Sequence, residues 1–269
     1  MNEDTLRKNK LLRKMIKSYD DVVVALSGGT DSCFLLKVAK DELKENVLAI
    51  TIDSPFFLKK DIDEAKRFVK KHEINHKIIP IQTEDINTFL KNKSDRCYHC
   101  KRELFKKIKE IANEKEISIV IEGSNRDDTD DYRPGLIALK ELGIISPLKE
   151  VGLTKNEIRF LSKKLGIKTW DKPSSACLAS RIPYNSKITI SKLRTIEQAE
   201  NFIHYLGIKQ CRVRHHNTIA RIEVLKKDSD IILKNAKDIS KKFKSLGFKF
   251  ITLDINGYRT GSLNEGEID

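Results

Sequence analysis

The chain is expected to fold as an α/β protein, a doubly wound parallel sheet followed by a small C-terminal α+β module. Three observations predict this. Runs of consecutive apolar residues alternate with helical segments between residues 20 and 121. A strand buried on both faces requires such a run, and strand–helix–strand alternation closes through right-handed crossovers. Polar clusters recur at the ends of the apolar runs, where an open parallel sheet presents its ligand site. Beyond Thr189 the order changes to helix, strand, strand, helix, strand.

Residues 4–18 read as a short amphipathic helix. Asp21 to Leu26 is apolar after its first residue and reads as a buried strand. Ser27 to Ser32 forms a loop, and Cys33 to Lys44 continues as a helix. Val47 to Ile52 makes a second strand ending at Asp53-Ser54-Pro55, and a helix from about Asp61 to Lys71 leads to a third, Lys77 to Ile81. After a helical turn near 86–90, Asp95 to Lys101 is expected to be a loop, with a helix following to about Glu114. Ile117 to Ile121 is the fourth strand and runs into Glu122-Gly123-Ser124-Asn125. Thr154-Lys155-Asn156-Glu157 has the form of a capping box and opens a helix that Gly166 closes. Residues 168–187 show no period and contain two prolines; a loop of that length in a compact protein is usually functional. Strands Cys211–His215, Ile219–Val224 and Phe248–Ile255 build the second module. The boundary is placed near residue 186, giving a nucleotide-binding domain over 1–186 and a small domain for substrate binding or oligomerisation over 187–269.

Lysine and arginine outnumber aspartate and glutamate by 52 to 39, a formal charge of +13. Such an excess favours anionic ligands and makes tRNA a partner to test. Lysines are scattered, as in Lys59-Lys60, Lys70-Lys71, Lys106-Lys107 and Lys163-Lys164, so a solvated lysine-rich surface is the other reading. No apolar run has the length of a membrane span and the first residues are too charged for a signal peptide, so a cytoplasmic location is expected. Five cysteines, an odd number, argue against a disulfide framework and for reduced thiols, a metal site or a reactive sulfur.

Ser27-Gly28-Gly29-Thr30-Asp31-Ser32 stands between a buried strand and a helix. Paired glycines let backbone N–H groups approach an anion, and the helix N-terminus adds its positive dipole end. A kinase-type P-loop would need a lysine before the serine, and a dinucleotide fingerprint a third glycine; Asp31 and Phe34-Leu35 stand there instead. The carboxylates Asp127-Asp128 after Asn125 suit a metal or a phosphate, or simply an Asx-rich turn. Cys97-Tyr98-His99-Cys100 is consistent with zinc, an iron–sulfur cluster or a redox pair. Cys177 lies in the long loop, and with Cys97 and Cys100 makes a set of three thiols. Cys33, beside Phe34 and Leu35, reads as core. His99 reads as a loop-orienting residue, and the adjacent His215 and His216 face opposite ways on a strand. Arg212 and Arg214 alternate along a strand and leave the same face, as a grip for a substrate phosphate or as surface charge. Arg181 is a further phosphate candidate.

Ser-Gly-Gly-x-Asp-Ser in this setting matches the PP-loop signature of the ATP pyrophosphatase superfamily. The resemblance implies an adenine nucleotide alpha hydrolase-like fold. It also implies that Ser27, Gly28, Gly29, Asp31 and Ser32 hold the phosphates and Mg²⁺ of ATP, with Asp53 and Gly123 near the adenosine and Asn125 and Asp128 at the metal or α-phosphate. Trp170 to Tyr184 (WDKPSSACLASRIPY) resembles the signature of the LarE family of sulfur transferases, which serve the nickel-pincer nucleotide cofactor. Arg212-x-Arg214-His215-His216, Ala220-Arg221-Ile222-Glu223-Val224 and Asp127-Asp128 with Tyr132-Arg133-Pro134-Gly135 are similar to that family too. The likeness implies adenylation of a carboxylate of pyridinium-3,5-biscarboxylic acid mononucleotide and replacement of its oxygen by sulfur. One branch sacrifices a single cysteine at the Cys177 position; here Cys97 and Cys100 accompany it, which favours a [4Fe–4S] cluster on the three thiols with an open iron carrying sulfide. The expected partners are a small nucleotide substrate, sulfide or a sulfur donor protein, and further copies of the chain. The rival readings are a tRNA thiolation enzyme, an amidating PP-loop ligase and a non-catalytic nucleotide sensor.

Overall fold

The computed structural model describes residues 3–81, 87–129, 134–173, 176–259 and 261–262. Tyr132, Arg133, Ser174 and Ser175 of the family-like motifs, and residue 86 of the expected helical turn, lie outside the described residues. The chain divides into two compact units, Met1–Phe89 with Asp95–Ser174, and Leu90–Ser94 with Ser175–Asp269.

In the first unit the order is α1 (Glu3–Lys17), β1 (Val22–Ala25), α2 (Thr30–Leu43), β2 (Val47–Asp53), α3 (Lys59–Lys71), β3 (Asn75–Pro80), a turn of helix α4 (Asn87–Leu90), α5 (Arg96–Glu114), β4 (Val120–Ile121), α6 (Pro134–Glu141), α7 (Pro147–Glu150) and α8 (Lys155–Lys164). The sheet runs β3-β2-β1-β4 with every pair parallel. Strand β1 is central because Val22, Val23 and Val24 are all fully buried and offer no polar face to water. The core gathers Leu12 and Ile16 of α1, Phe34, Leu35 and Leu36 of α2, and Ile158 and Leu161 of α8 around it. Chain reversal on either side of β1 places the ends of β1, β2 and β4 side by side, the location of ligand sites in open α/β sheets.

Several boundaries differ from the sequence reading: the third strand is Asn75–Pro80, the fourth only Val120–Ile121 and the last Phe250–Leu253, and two further shifts bear on the site. Helix α2 starts at Thr30, so Asp31 and Ser32 occupy its first turn instead of a loop. Asp95 to Lys101, read as a loop, is mostly the opening of α5. Cys100, Leu104 and Ile108 form one buried stripe there, so the second cysteine begins the apolar period of the helix. Helices α6 and α7 had no counterpart in the sequence reading.

The second unit contains α9 (Ile190–Tyr205), β5 (Cys211–His216), β6 (Ile219–Val224), α10 (Ser229–Lys234), α11 (Ala236–Ser245) and β7 (Phe250–Leu253). Its sheet runs β5-β6-β7, the first pair antiparallel and the second parallel. Cys211, Val213, Ala220, Ile222 and Val224 point to one face and pack with Ala199, Ile203, Ile239 and Phe243. Leu90–Ser94 joins this unit through Asn92, whose amide donates to the carbonyls of Pro183 and Ser186 at 2.7 and 2.8 Å. No helix among the described residues is long and apolar enough to cross a membrane.

Candidate active site

Gly28 carries φ +73°, and a Cβ there would stand 2.1 Å from the carbonyl oxygen of Asp61. Only glycine lets α3 approach this closely. Gly29 precedes α2 in extended conformation, and no side chain caps the helix, which leaves backbone N–H groups of its first turn to an incoming anion. The two serine hydroxyls, Ser27 Oγ and Ser32 Oγ, lie 3.1 Å apart. Gly123, after β4, meets the other side of that turn: a Cβ on it would be 3.0 Å from the backbone nitrogen of Ser32.

Asp31 is the electrostatic centre of this turn. One carboxylate oxygen, Oδ2, accepts from Lys155 Nζ at 2.6 Å and from Asn125 Nδ2 at 3.4 Å. The other, Oδ1, is buried without a hydrogen-bond partner. Burial raises the Asp31 pKa, Lys155 opposes the rise, and Asp128 adds to it. Asn125 accepts from the Asp127 amide and donates its own amide to Asp128, 2.9 Å in each case. The Asp127 carboxylate accepts the backbone N–H of Lys155 at 2.9 Å. The acidic pair is thus an Asx-type turn, and the turn is what joins Asp31 to the start of α8. Asp53 closes β2 on the neighbouring strand, half-buried.

A second lysine reaches the loop from residues 168–173. Arg159 donates to the Lys172 carbonyl at 3.0 Å, and Lys163 lies over the Trp170 ring at 4.6 Å. These contacts hold the segment so that Lys172 Nζ donates to the Gly28 carbonyl at 2.6 Å and pairs with Asp61 at 2.9 Å. Sequence reading missed both lysines because their partners are 124 and 144 residues away.

None of the five cysteines is in a disulfide. Burial pushes the Cys33 thiol up to about 12, which makes it an inert part of the core. Cys97 is exposed and Cys100 buried, three residues apart on α5 and therefore on neighbouring positions of one face. His99 Nε2 lies 3.1 Å from the Asp95 carboxylate. Cys177 is half-buried in the second unit, just before a 3₁₀ turn, Leu178–Arg181. Among the described residues no group of three or more His, Cys, Asp or Glu side chains is arranged to hold a metal ion. Cys97 and Cys100 belong to the first unit and Cys177 to the second.

In the second unit Arg181 is fully buried. Its Nε and Nη2 bind both oxygens of Glu200 at 2.9 and 3.0 Å, and Nη1 donates to the carbonyls of Ala176 and Cys177 at 2.6 and 3.0 Å. These bonds hold the Cys177 turn. Glu200 also accepts the Val213 amide at 3.0 Å. Burial alone would raise its pKa, but Arg181, Arg212 and that amide hold it low. Arg212 and Arg214 share a face as expected, and that face is buried, which excludes simple surface charge. Arg214 grips Glu223 with two bonds of 2.9 and 2.7 Å, and reaches the Ser180 carbonyl and Ser262 Oγ. Arg212 donates to the Cys211 carbonyl at 2.7 Å and lies over Tyr258 at 5.3 Å. Burial and the charge of Arg181 lower its pKa, a sign of excess positive charge. Among the described residues of the second unit, three buried arginines stand against two buried glutamates, Glu200 and Glu223, a surplus of arginines. That surplus suits an anion. Glu200 was not singled out from the sequence, and Glu223 entered only within the strand motif Ala220–Val224.

A parallel sheet of this order, with Ser27–Ser32 at the end of its central strand, defines the PP-loop class, and the model of the NAD synthase family matches residues 5–118. The chain is 37% identical over 255 residues to an uncharacterized protein of Synechocystis sp., an overlap covering 94% of this chain and 95% of the other. It is 33% identical over 260 residues to the pyridinium-3,5-bisthiocarboxylic acid mononucleotide synthase of Lactiplantibacillus plantarum, covering 96% and 94%. A tRNA-specific 2-thiouridylase of Rickettsia massiliae is 26% identical over 226 residues, covering 70% and 62%. The chain belongs to the LarE family, that of the Lactiplantibacillus synthase, within the PP-loop ATP pyrophosphatase superfamily, and is an enzyme of that class.

Proposed function

We propose that this chain is an ATP-dependent sulfur transferase acting on pyridinium-3,5-biscarboxylic acid mononucleotide. A substrate carboxylate oxygen attacks the α-phosphorus of ATP, pyrophosphate leaves, and the carboxyl becomes an acyl-adenylate. A sulfur nucleophile then attacks the acyl carbon, AMP leaves, and the thiocarboxylate forms. Activation is needed because an oxide is a poor leaving group, and thiolates are effective nucleophiles near neutral pH.

The observation that carries this reading is the turn Ser27–Ser32: an uncapped helix start behind Gly28, beside a buried Asp31 oxygen that has no partner. Backbone N–H groups there suit the β,γ-phosphates, with the hydroxyls of Ser27 and Ser32 as further donors. The unpartnered Asp31 oxygen fits a hard cation, so Asp31, with Asp128 nearby, is the residue that would hold the Mg²⁺ of ATP. That ion supplies neutralisation of phosphate charge. Asp53 and Gly123 line the adenosine side, and Asn125 orients Asp31. In the second unit Arg212 takes the substrate phosphate, while Arg214 and Glu223 frame it and Arg181 shapes the Cys177 turn.

The sulfur comes through the cysteines. In the sacrificial route the Cys177 thiolate forms a thioester with the acyl carbon. Loss of its Cα proton then breaks the Cβ–S bond, leaving dehydroalanine and the thiocarboxylate. In the other route, Cys97, Cys100 and Cys177 would hold an iron–sulfur cluster, and that group would supply the sulfide.

The test is anaerobic protein with ATP and the dicarboxylate nucleotide. Pyrophosphate and AMP are expected in equal amounts with the thiocarboxylate. Absence of acceptor-dependent pyrophosphate would overturn the proposal. Iron and sulfide content, with the protein mass after one turnover, separates the two sulfur routes: a chain lighter by one hydrogen sulfide marks sacrifice of Cys177.

A further inference from the structure

ATP brings several negative charges to a turn that has no cation of its own. Where a kinase-type loop places lysine before its serine, this chain places Asp31 before Ser32. A positive group must therefore arrive from elsewhere, and among the described residues two ammonium groups touch the turn. Lys172 is engaged by the Gly28 carbonyl and the Asp61 carboxylate, and serves as a clamp between the loop and α3. Lys155 is placed differently. Its backbone N–H is fixed on Asp127, and Thr154 and Glu157 close a capping box around the start of α8. Glu157 is itself bound by Thr5 and Lys8 of α1, at 3.0 Å each. The base of Lys155 is rigid, while its four-carbon stem is free to swing within the reach of the turn. Its ammonium, 27% exposed at the side chain, rests on one oxygen of Asp31 while the other oxygen stays buried and unpartnered.

We propose that Lys155 is the phosphate lysine of this loop: it exchanges Asp31 Oδ2 for an oxygen of the departing pyrophosphate group of ATP. The exchange would leave the Asp31 carboxylate, oriented by Asn125, to hold the divalent cation that accompanies the nucleotide. No bond is made or broken covalently. The inference rests on the ATP reading of Ser27–Ser32 and deepens it, since it supplies the charge that the loop lacks.

Calorimetric titration of the full chain with Mg·ATP, inorganic pyrophosphate and AMP tests it. Lys155→Met is expected to lose roughly ten- to hundredfold in affinity for ATP and pyrophosphate, the size of one charge-assisted contact. AMP affinity is expected to stay within about twofold, and Lys155→Arg to retain most ATP affinity. The same loss is expected when Lys155→Met is made in an Asp31→Asn background, because a lysine that only neutralised Asp31 would then matter little. Lys155→Gln repeats the comparison if the Met variant does not fold. Unchanged ATP affinity in Lys155→Met, equal losses for ATP and AMP, or disappearance of the effect in Asp31→Asn would each overturn the assignment of Lys155 and leave the ATP reading intact. A wild-type chain that bound neither ATP nor pyrophosphate would overturn both.

Discussion

Arg181→Met is the substitution with the largest expected effect on the second unit. The side chain is fully buried, and so is its partner Glu200. Methionine preserves part of the volume but removes both bonds to Glu200 and the bonds to the Ala176 and Cys177 carbonyls. Glu200 keeps the Val213 amide on Oε1; Oε2 loses the donor that Arg181 gave it. Breaking one side of a buried ion pair costs about 3–5 kcal/mol, because the remaining charge is left without compensation. Arg212 nearby lowers Glu200's pKa as well, which argues for the lower part of that range. Urea denaturation followed by circular dichroism reads the loss as a shift of midpoint at unchanged slope. The double variant Arg181→Met with Glu200→Leu removes the stranded carboxylate and is expected to recover at least about 2 kcal/mol of it. A single variant that costs less than about 1 kcal/mol, or a double variant whose cost is the sum of its parts, refutes the buried-pair argument. Activity supplies a second readout: the double variant regains stability without regaining the hold on the Cys177 turn, so its turnover stays low.

Gly28→Ala puts a Cβ against the Asp61 carbonyl at positive φ; about 2–4 kcal/mol of stability and most ATP affinity are expected to be lost, and a melting curve with a nucleotide titration checks both. Asp31 titrates above the ordinary aspartate range in the folded chain, chiefly because it is buried. A raised folded-state pKa means that the stability is fully present below the unfolded value and is lost as pH rises from there through the folded value. Asp31→Asn is therefore expected to melt higher than wild type at neutral pH while binding Mg·ATP poorly, with the melting difference shrinking as the pH falls into the aspartate range; a lower melting point at neutral pH contradicts this. Asn92→Asp replaces an amide donor by a carboxylate facing the carbonyls of Ile182, Pro183 and Ser186. It is expected to destabilise the second unit by about 2–4 kcal/mol at neutral pH, and less in acid where the carboxyl regains a proton, as urea midpoints at the two pH values would show.

The central strand and its glycine turn were legible because their signals are local. Val22 to Ala25 is an unbroken apolar run, and the glycine pair Gly28-Gly29 follows it almost at once, although the contact with Asp61 that demands Gly28 is seen only in the fold. The shared face of Arg212 and Arg214 followed from the two-residue period of a strand. Their burial did not, because Arg214 is held by Glu223 across the hairpin, and one sequence does not show which carboxylate meets which guanidinium. Lys155 and Lys172 were invisible as site residues for the same reason: among dozens of scattered lysines, only the folded chain distinguishes the two that touch the turn. The opening of α5 was misread because Cys100 was weighed as a metal ligand, although its burial makes it the first apolar position of the helix. The contacts of Arg181 with Glu200 and with the carbonyls of Ala176 and Cys177 were not legible either, because the partner carboxylate lies 19 residues away on α9.

Adenylation itself is tested most directly by the fate of the acceptor's oxygen. With heavy oxygen in both carboxylates of the pyridinium mononucleotide, the attack on the α-phosphorus carries one labelled atom into AMP, and mass spectrometry of the released nucleotide is expected to find it there for each thiocarboxylate formed. Unlabelled AMP, or ADP with inorganic phosphate in its place, would contradict the account.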